Sequence, residues 1–312
     1  SILPGRWVGW SPRRVHINWD LPDFNAFDAV ILNTSYVALA TQWLMRFGLR
    51  ETPWVFWAER LRAQSGHIKR WGQQVLTRSL DRADAIVAIG SVAQAAYQQQ
   101  FPDQRVFNIP YYCDLTAFQE AASNAQSSDD VVEFLCCAQM IHRKGIDVLL
   151  QAFDSLIQSG VEARLVLVGR EAELPSMMKE VSSGMREHVG FEGFQAPEDL
   201  PAYFAKADVF VLPSRHDGWG VVVNQALGAG LPLICSNAVG AAHDLIMPGR
   251  NGEIVPAGAV EPLREALSRL ATDPEMRDAY RSAAQKQATR WTPAQGAKRW
   301  SHVIQAIIDE CY

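Results

Sequence analysis

The sequence predicts an α/β protein made of two Rossmann-like, doubly wound domains that face a cleft. Three observations indicate this fold: short runs that are apolar on both faces, amphipathic helical stretches between them, and a polar break at residues 120–130. Strands of a parallel sheet covered by helices on both faces have this continuous apolar character. The chain has 312 residues, which is enough for two domains.

Seven runs are predicted as buried strands: residues 29–32, 54–57, 85–89, 131–138, 165–168, 209–212 and 232–235. The stretches predicted as helices between them include residues 146–158, 201–207, 221–229 and 262–271. The break, EAASNAQSSDD, has no apolar period, so we interpret it as a linker. The expected domains are residues 1–123 and residues 124–292, followed by a helix over residues 293–312 that packs back on the first domain.

Composition excludes several classes of protein. The 34 acidic residues outnumber 29 basic ones, and this net charge of −5 argues against nucleic acid as a partner. No run approaches the ~18 apolar residues of a membrane-spanning helix, and no secretory signal is visible. Five cysteines without a CxxC or HExxH motif predict free thiols in a reducing cytosol and no metal site.

The strongest local feature is PSRHDGWGVVVNQALGAG at residues 213–230, directly after a predicted strand. Gly218 and Gly220 permit a tight turn, and a helix is expected from Val221. The N–H groups and the positive dipole end of such a helix suit a diphosphate. A glycine-rich turn without any ligand is an equally good explanation of the glycine pair alone.

Polar side chains accompany this turn. Asp217 would lie at its mouth and accept hydrogen bonds from hydroxyls, or simply cap the turn. Gln225 follows about two helical turns later, where its amide could bind a sugar diol.

A second feature, AQMIHRKG at residues 138–145, also links a predicted strand to a helix. Its adjacent cations, Arg143 and Lys144, could neutralise phosphate at the carboxyl end of the strand. A solvated basic loop is the alternative, but its place in the first strand-helix turn of the second domain favours a binding role.

Together these segments resemble the retaining glycosyltransferases of family four, which have the GT-B fold. The resemblance covers most of residues 80–290 and rests on motifs in a fixed order. They are RADAIVAIGS (82–91), VFNIPYYCD (106–114), EFLCCAQMIHRKGIDVLLQAF (133–153), RLVLVGR (164–170), DVFVLPS (208–214) and DGWG (217–220) with Gln225.

The resemblance implies a donor site for a nucleoside-diphosphate sugar, with UDP or GDP as the nucleotide, and no separate cofactor. Lys144 is expected to bind the diphosphate. Asp217 replaces a glutamate that contacts the transferred sugar, and Gln225 replaces one that binds the ribose. Gln139 stands where an arginine is common, and Arg143 could supply the missing charge.

Other residues are implied near the donor: Gly169, Arg170, Phe191, His216, Gly218, Trp219, Gly220 and Val221. Phe191 would lie close to the nucleobase, and a core phenylalanine is the equal alternative. In the first domain, Glu59 lies near a position that often holds an acceptor-side histidine. It could orient the acceptor hydroxyl, or form a local salt bridge.

The implied reaction retains the anomeric configuration, and its expected catalytic residues are Lys144, Asp217 and Glu59. A double displacement needs two carboxylates about 5–5.5 Å apart, which Asp217 and Gln225 cannot provide. Front-face substitution, in which the leaving diphosphate takes the acceptor proton, is the consistent alternative. The sequence has no convincing DxD motif, so this mechanism requires no metal.

Two other functions stay open: a degenerate sugar-nucleotide-binding module, and another GT-B enzyme such as a sugar-nucleotide epimerase, which the motifs fit poorly. Tryptophans and arginines at residues 36–62 suit either an interfacial helix or core packing. We expect a cytoplasmic, peripheral enzyme at the inner face of a bacterial membrane, with a glycan or lipid-linked acceptor in cell-surface polysaccharide synthesis. The family's usual opening unit is not recognisable, which predicts a fragment or a compact, truncated first domain.

Overall fold

The computed structural model describes residues 5–10, 13–18, 27–33, 52–60, 77–124 and 131–311. Contacts divide the chain into two compact units. The first holds Ser1–Ala88, Gln94–Asn108 and Trp300–Tyr312, and the second holds Ile89–Ala93 and Ile109–Arg299. No helix among the described residues is long and apolar enough to cross a membrane.

The first unit contains two separate sheets. An antiparallel hairpin pairs β1 (Gly5–Trp10) with β2 (Arg13–Asn18). A parallel sheet of order β3-β4-β5-β6 follows. Its strands are β3 (Val30–Leu32), β4 (Trp54–Ala58), β5 (Ala85–Ala88) and β6 (Val106–Asn108). The two middle strands are almost wholly buried because they are apolar on both faces.

The second unit contains a six-stranded parallel sheet of order β12-β11-β10-β7-β8-β9. Its strands are β7 (Val132–Cys137), β8 (Ala163–Val168), β9 (Val189–Gly193), β10 (Val209–Leu212), β11 (Leu233–Ser236) and β12 (Gly252–Val255). Strand β7, the first of this sheet in chain order, is an inner strand of the sheet. The chain adds β8 and β9 on one side and then β10 to β12 on the other, which is the doubly wound order.

The described part of the chain contains ten α-helices. They are α1 (Ser91–Gln100), α2 (Thr116–Asn124), α3 (Ile146–Gln158), α4 (Leu174–Met177), α5 (Leu200–Lys206), α6 (Val221–Gly228), α7 (Ala242–Leu245), α8 (Val260–Thr272), α9 (Pro274–Ala288) and α10 (Pro293–Cys311). Helix α3 buries seven apolar side chains against the sheet, which anchors the loop that precedes it.

Cys113, Cys136, Cys137 and Cys235 are free thiols, as predicted. Cys136 and Cys137 end β7 and Cys235 lies in β11, with β10 between these two strands, and all three are buried. Burial raises the pKa of Cys136 to about 12 and that of Cys137 to about 11, so both remain protonated and unreactive at neutral pH.

The predicted fold class and all seven predicted strands are confirmed, with ends that shift by one or two residues. The prediction missed strands β6, β9 and β12 and the β1-β2 hairpin, because these segments are short or contain glycine and polar residues. Helix α2 includes the first five residues of the predicted linker, and residues 125–130 lie outside the described part. The expected domain limits 1–123, 124–292 and 293–312 stay predictions.

Candidate active site

Both sequence features lie in one place in the second unit. Residues 138–145 follow β7 and residues 213–220 follow β10, and these strands are hydrogen-bonded neighbours. The strand order reverses between them, and ligands of α/β sheets bind in the crevice at such a switch point. Arg215 N donates to the carbonyl of Arg143 at 2.8 Å, which ties the two loops together.

An ion pair joins the two predicted key residues across these loops. Lys144 Nζ lies 2.5 Å from Asp217 Oδ2, although the residues are 73 positions apart. The side chains are only 16% and 13% exposed, so the attraction is stronger than on an open surface. Ser214 Oγ also donates to the same carboxylate oxygen, at 3.4 Å. The pair therefore presents an ammonium and a carboxylate in a fixed geometry at the crevice.

Two arginines lock the loops, and only one of them was a predicted site residue. Arg143 donates to the carbonyl of His216 at 2.9 Å. Arg215 donates to the carbonyl of His142 at 2.8 Å and makes two bonds to Asp147, at 2.6 and 2.7 Å. Burial opposes ionisation of Asp147, but the Arg215 guanidinium still holds the pKa of that carboxyl below its usual range. Sequence reasoning missed this pair because its members contact each other only in the fold.

Gly145 permits the close approach of the loops. Its φ is +72°, a left-handed conformation, and a Cβ there would lie 2.1 Å from the carbonyl oxygen of Pro213. No other residue type fits this position without moving the β10 loop. Glycine directly after Lys144 thus lets the ammonium reach Asp217.

Helix α6 begins beside Asp217, at the end of the β10 loop. Gly220, at φ +94°, precedes its first residue, Val221, whose side chain is partly exposed. The backbone of Asp217 is held from the β11 side, because its N–H donates to Ala238 O at 3.1 Å. Gln225 Oε1 is buried and has no hydrogen-bond partner among the described residues. A buried acceptor without a donor is costly, so this oxygen is suited to accept a ligand hydroxyl.

Trp219 is wholly buried next to Asp217 and Gly218. Its side chain is 0% exposed, and its indole N–H donates to Asn224 Oδ1 at 2.8 Å. Tyr111 and Trp291 pack against the ring at centroid distances of 6.4 and 6.2 Å. The large apolar surface of the Trp219 side chain is therefore buried among protein groups, and its place among the donor-binding residues stays a prediction.

Of the other predicted donor residues, Gln139 follows β7, Gly169 and Arg170 follow β8, and Phe191 lies within β9. Gln139 and Arg170 are exposed, and the Arg170 guanidinium lies 5.6 Å from the centre of the Phe194 ring. Gly169 N donates to the backbone at the end of β9, at 2.8 Å. Phe191 is 37% exposed, so the alternative of a core phenylalanine is wrong. Its contact with a nucleobase stays a prediction.

Glu59 belongs to the first unit, where it directly follows β4. Its carbonyl accepts a hydrogen bond from Tyr97 Oη at 2.9 Å, and its side chain is half-buried. Burial, and secondarily the Glu59 charge, raise the pKa of Tyr97 well above its usual range. The catalytic role of Glu59 stays a prediction.

Several solved structures share this fold. The chain superposes on Anabaena HepE in complex with UDP with a TM-score of 0.76, at 20% identity over 90% of this chain and 79% of that one. It matches sucrose-phosphate synthase from Thermosynechococcus elongatus with a TM-score of 0.75, at 20% identity over 91% and 75% of the two chains. The fold is that of a GT-B glycosyltransferase.

Residues 118–287 match the family described as glycosyl transferases group 1, and the chain belongs to this family. A GDP-mannose-dependent alpha-(1-6)-phosphatidylinositol monomannoside mannosyltransferase of Mycobacterium tuberculosis is 27% identical over 80% of this chain and 68% of its own length. An alpha-D-kanosaminyltransferase of Streptomyces kanamyceticus is 25% identical over 68% and 56%. The predicted family and enzyme class are confirmed: the protein is a glycosyltransferase that uses a nucleotide sugar.

Proposed function

We propose that the protein transfers a sugar from a nucleoside diphosphate to a hydroxyl of a glycan or lipid-linked acceptor, with retention of anomeric configuration. The observation that carries this proposal is the Lys144–Asp217 ion pair at the switch point of the second unit. It joins a cation suited to a diphosphate and a carboxylate suited to sugar hydroxyls.

When the donor binds, its contacts with Lys144 and Asp217 would replace the ion pair between these two residues. Lys144 takes the diphosphate, with the first turn of α6 adding N–H groups and a favourable dipole. Asp217 accepts hydrogen bonds from hydroxyls of the transferred sugar. Gln225 Oε1, buried and without a partner among the described residues, accepts one from the ribose. Arg143 donates to the β10 loop and supports its geometry while contributing positive charge.

The chemistry proceeds on one face of the sugar. The bond from the anomeric carbon to the diphosphate breaks, the acceptor oxygen bonds to that carbon from the same side, and a diphosphate oxygen takes the acceptor proton. Lys144 and the start of α6 stabilise the charge that develops on the leaving group, and such fixed groups can account for much of the rate enhancement. Glu59 orients the acceptor hydroxyl. In this mechanism no covalent intermediate forms on any residue that the structure describes.

The relatives support the choice of substrates. The mannosyltransferase relative supports GDP, and the complex of HepE supports UDP. The phosphatidylinositol acceptor named for the mannosyltransferase supports a lipid-linked acceptor. A cytoplasmic location at the inner face of a bacterial membrane and a role in cell-surface polysaccharide synthesis are parts of the same proposal. Most of the tryptophan- and arginine-rich segment proposed for membrane contact lies outside the described residues. Trp54, part of that segment, is buried in β4 and does not face a membrane.

A thermal-shift screen with UDP, GDP, ADP and dTDP, followed by a turnover assay, tests the proposal. A nucleotide present at 100 times its Kd should raise the free energy of unfolding by about 2.7 kcal/mol. The matching nucleotide sugar should then be consumed, and NMR of the product should show the anomeric configuration of the donor. Protection by a nucleotide without any turnover would instead identify a degenerate sugar-nucleotide-binding module, for which the amide at Gln225 is the favouring observation.

Substitution of Gln225 tests the ribose contact. Gln225→Ala is expected to raise the KM for the donor about three- to tenfold with little change in kcat, as for one neutral hydrogen bond. Gln225→Glu is expected to lower that KM, because a carboxylate accepts a stronger bond. Steady-state kinetics with varied donor measure both effects, and an unchanged KM in both variants would exclude the contact.

A further inference from the structure

Two fully buried side chains lie between the proposed donor ligands Asp217 and Gln225. Trp219 follows Asp217 by two residues, and Asn224 directly precedes Gln225. Both are 0% exposed, and the indole N–H of Trp219 donates to Asn224 Oδ1 at 2.8 Å. One buried hydrogen bond therefore joins the two ends of the motif.

This bond is anchored on both sides. Asn224 Nδ2 donates to the carbonyl of Tyr111 at 3.0 Å. The backbone oxygen of Trp219 accepts from Ala241 N at 2.8 Å. Trp291 packs on the indole ring with its centroid 6.2 Å away. Neither side chain can turn without breaking a buried contact.

The choice of residue types also needs an explanation. Asparagine is a poor helix former and is seldom buried, yet Asn224 lies in the first two turns of α6. A buried amide is tolerated only when its hydrogen bonds are made, and such networks favour one arrangement over others. An apolar pair would fill the same space without this directional link.

We propose that the Trp219–Asn224 hydrogen bond is a positioning device that holds Asp217 and Gln225 at the separation the donor sugar and ribose require. Neither residue touches the donor; each acts through its neighbour in the motif. This inference rests on the proposed function, since it assigns the bond to the same donor site.

Three variants test the device: Trp219→Phe, Asn224→Leu and the double substitution. Each single variant leaves a buried polar group without its partner, so its melting temperature should fall. The double variant removes both groups and should recover part of that loss. All three should show a kcat/KM for the donor that is about 10- to 100-fold lower, because small misplacements of a binding group slow the reaction by such factors.

Asn251→Leu is the matched control. Asn251 is also 0% exposed, and it bonds to Met247 N at 2.6 Å and Leu245 O at 3.0 Å, outside the motif. This variant should lose stability but keep kcat/KM per folded molecule. If the double variant regains both its stability and a kcat/KM within about twofold of the unmodified protein, the bond is merely structural and the proposal fails.

The same assays separate this inference from the proposed function. If the unmodified protein binds no nucleotide and turns over no donor, both the proposed function and the positioning role of the Trp219–Asn224 bond are contradicted. If the unmodified protein is active and all three variants keep its kcat/KM, only the positioning device is overturned. Trp219→Phe, the smallest change, keeps the test available should Asn224→Leu fail to fold.

Discussion

Replacing Lys144 with alanine is expected to lower kcat for sugar transfer by about 10²–10³-fold, the usual loss when one preorganised group that stabilises the leaving charge is removed. The Lys144 ammonium lies 2.5 Å from the Asp217 carboxylate at the crevice. Among the described residues, no other cationic side chain bonds to this carboxylate. The substitution also leaves the Asp217 carboxylate with Ser214 as its remaining side-chain partner. Thermal stability should fall too, so kcat is measured per folded molecule.

Two further variants test whether the loss of kcat depends on a positive charge at this site or on any positive charge in the unit. Lys179→Ala removes an exposed lysine of the same unit and should leave kcat unchanged. Lys144→Arg keeps the charge but changes its shape, and it should recover part of the lost rate. Full activity in Lys144→Ala would remove the basis for placing the diphosphate in this crevice.

Replacing Gly145 with alanine is expected to destabilise the protein by about 2–5 kcal/mol. A left-handed conformation alone costs a residue with a Cβ about 1–2 kcal/mol. The added methyl would also lie 2.1 Å from the Pro213 carbonyl oxygen, and forcing such a contact apart costs about 1–3 kcal/mol more. Urea unfolding measures the change, and donor turnover should fall as the β7 and β10 loops separate.

Gly160→Ala is the control that isolates the clash. Gly160 has a similar φ of +85°, but a Cβ there would meet nothing within 4 Å. Only the conformational part of the cost should therefore appear, about 1–2 kcal/mol, with no loss of turnover. Equal losses of unfolding free energy in Gly145→Ala and Gly160→Ala would show that the close contact between the loops does not contribute to stability.

The two loops at residues 138–145 and 213–220 were predicted as the donor site because each directly follows a strand. The apolar runs before residues 138–145 and 213–220 mark buried strands, and a parallel sheet places its ligand-binding loops at the carboxyl ends of such strands. Apolar periodicity and residue type are local properties of the sequence, so these loops can be recognised without knowledge of the tertiary structure. The same signals predicted the fold class, and the family match confirms the class of enzyme.

Other features of the site depend on contacts between distant parts of the chain. No local sequence signal indicates that β7 and β10 are neighbours, that Arg215 pairs with Asp147, or that the Trp219 side chain is buried against Asn224. By itself, then, the sequence determined two α/β units and the loops that bear the polar groups. Only the tertiary structure decided which loops meet and which side chains stay exposed, because strand order and burial depend on packing across the whole sheet.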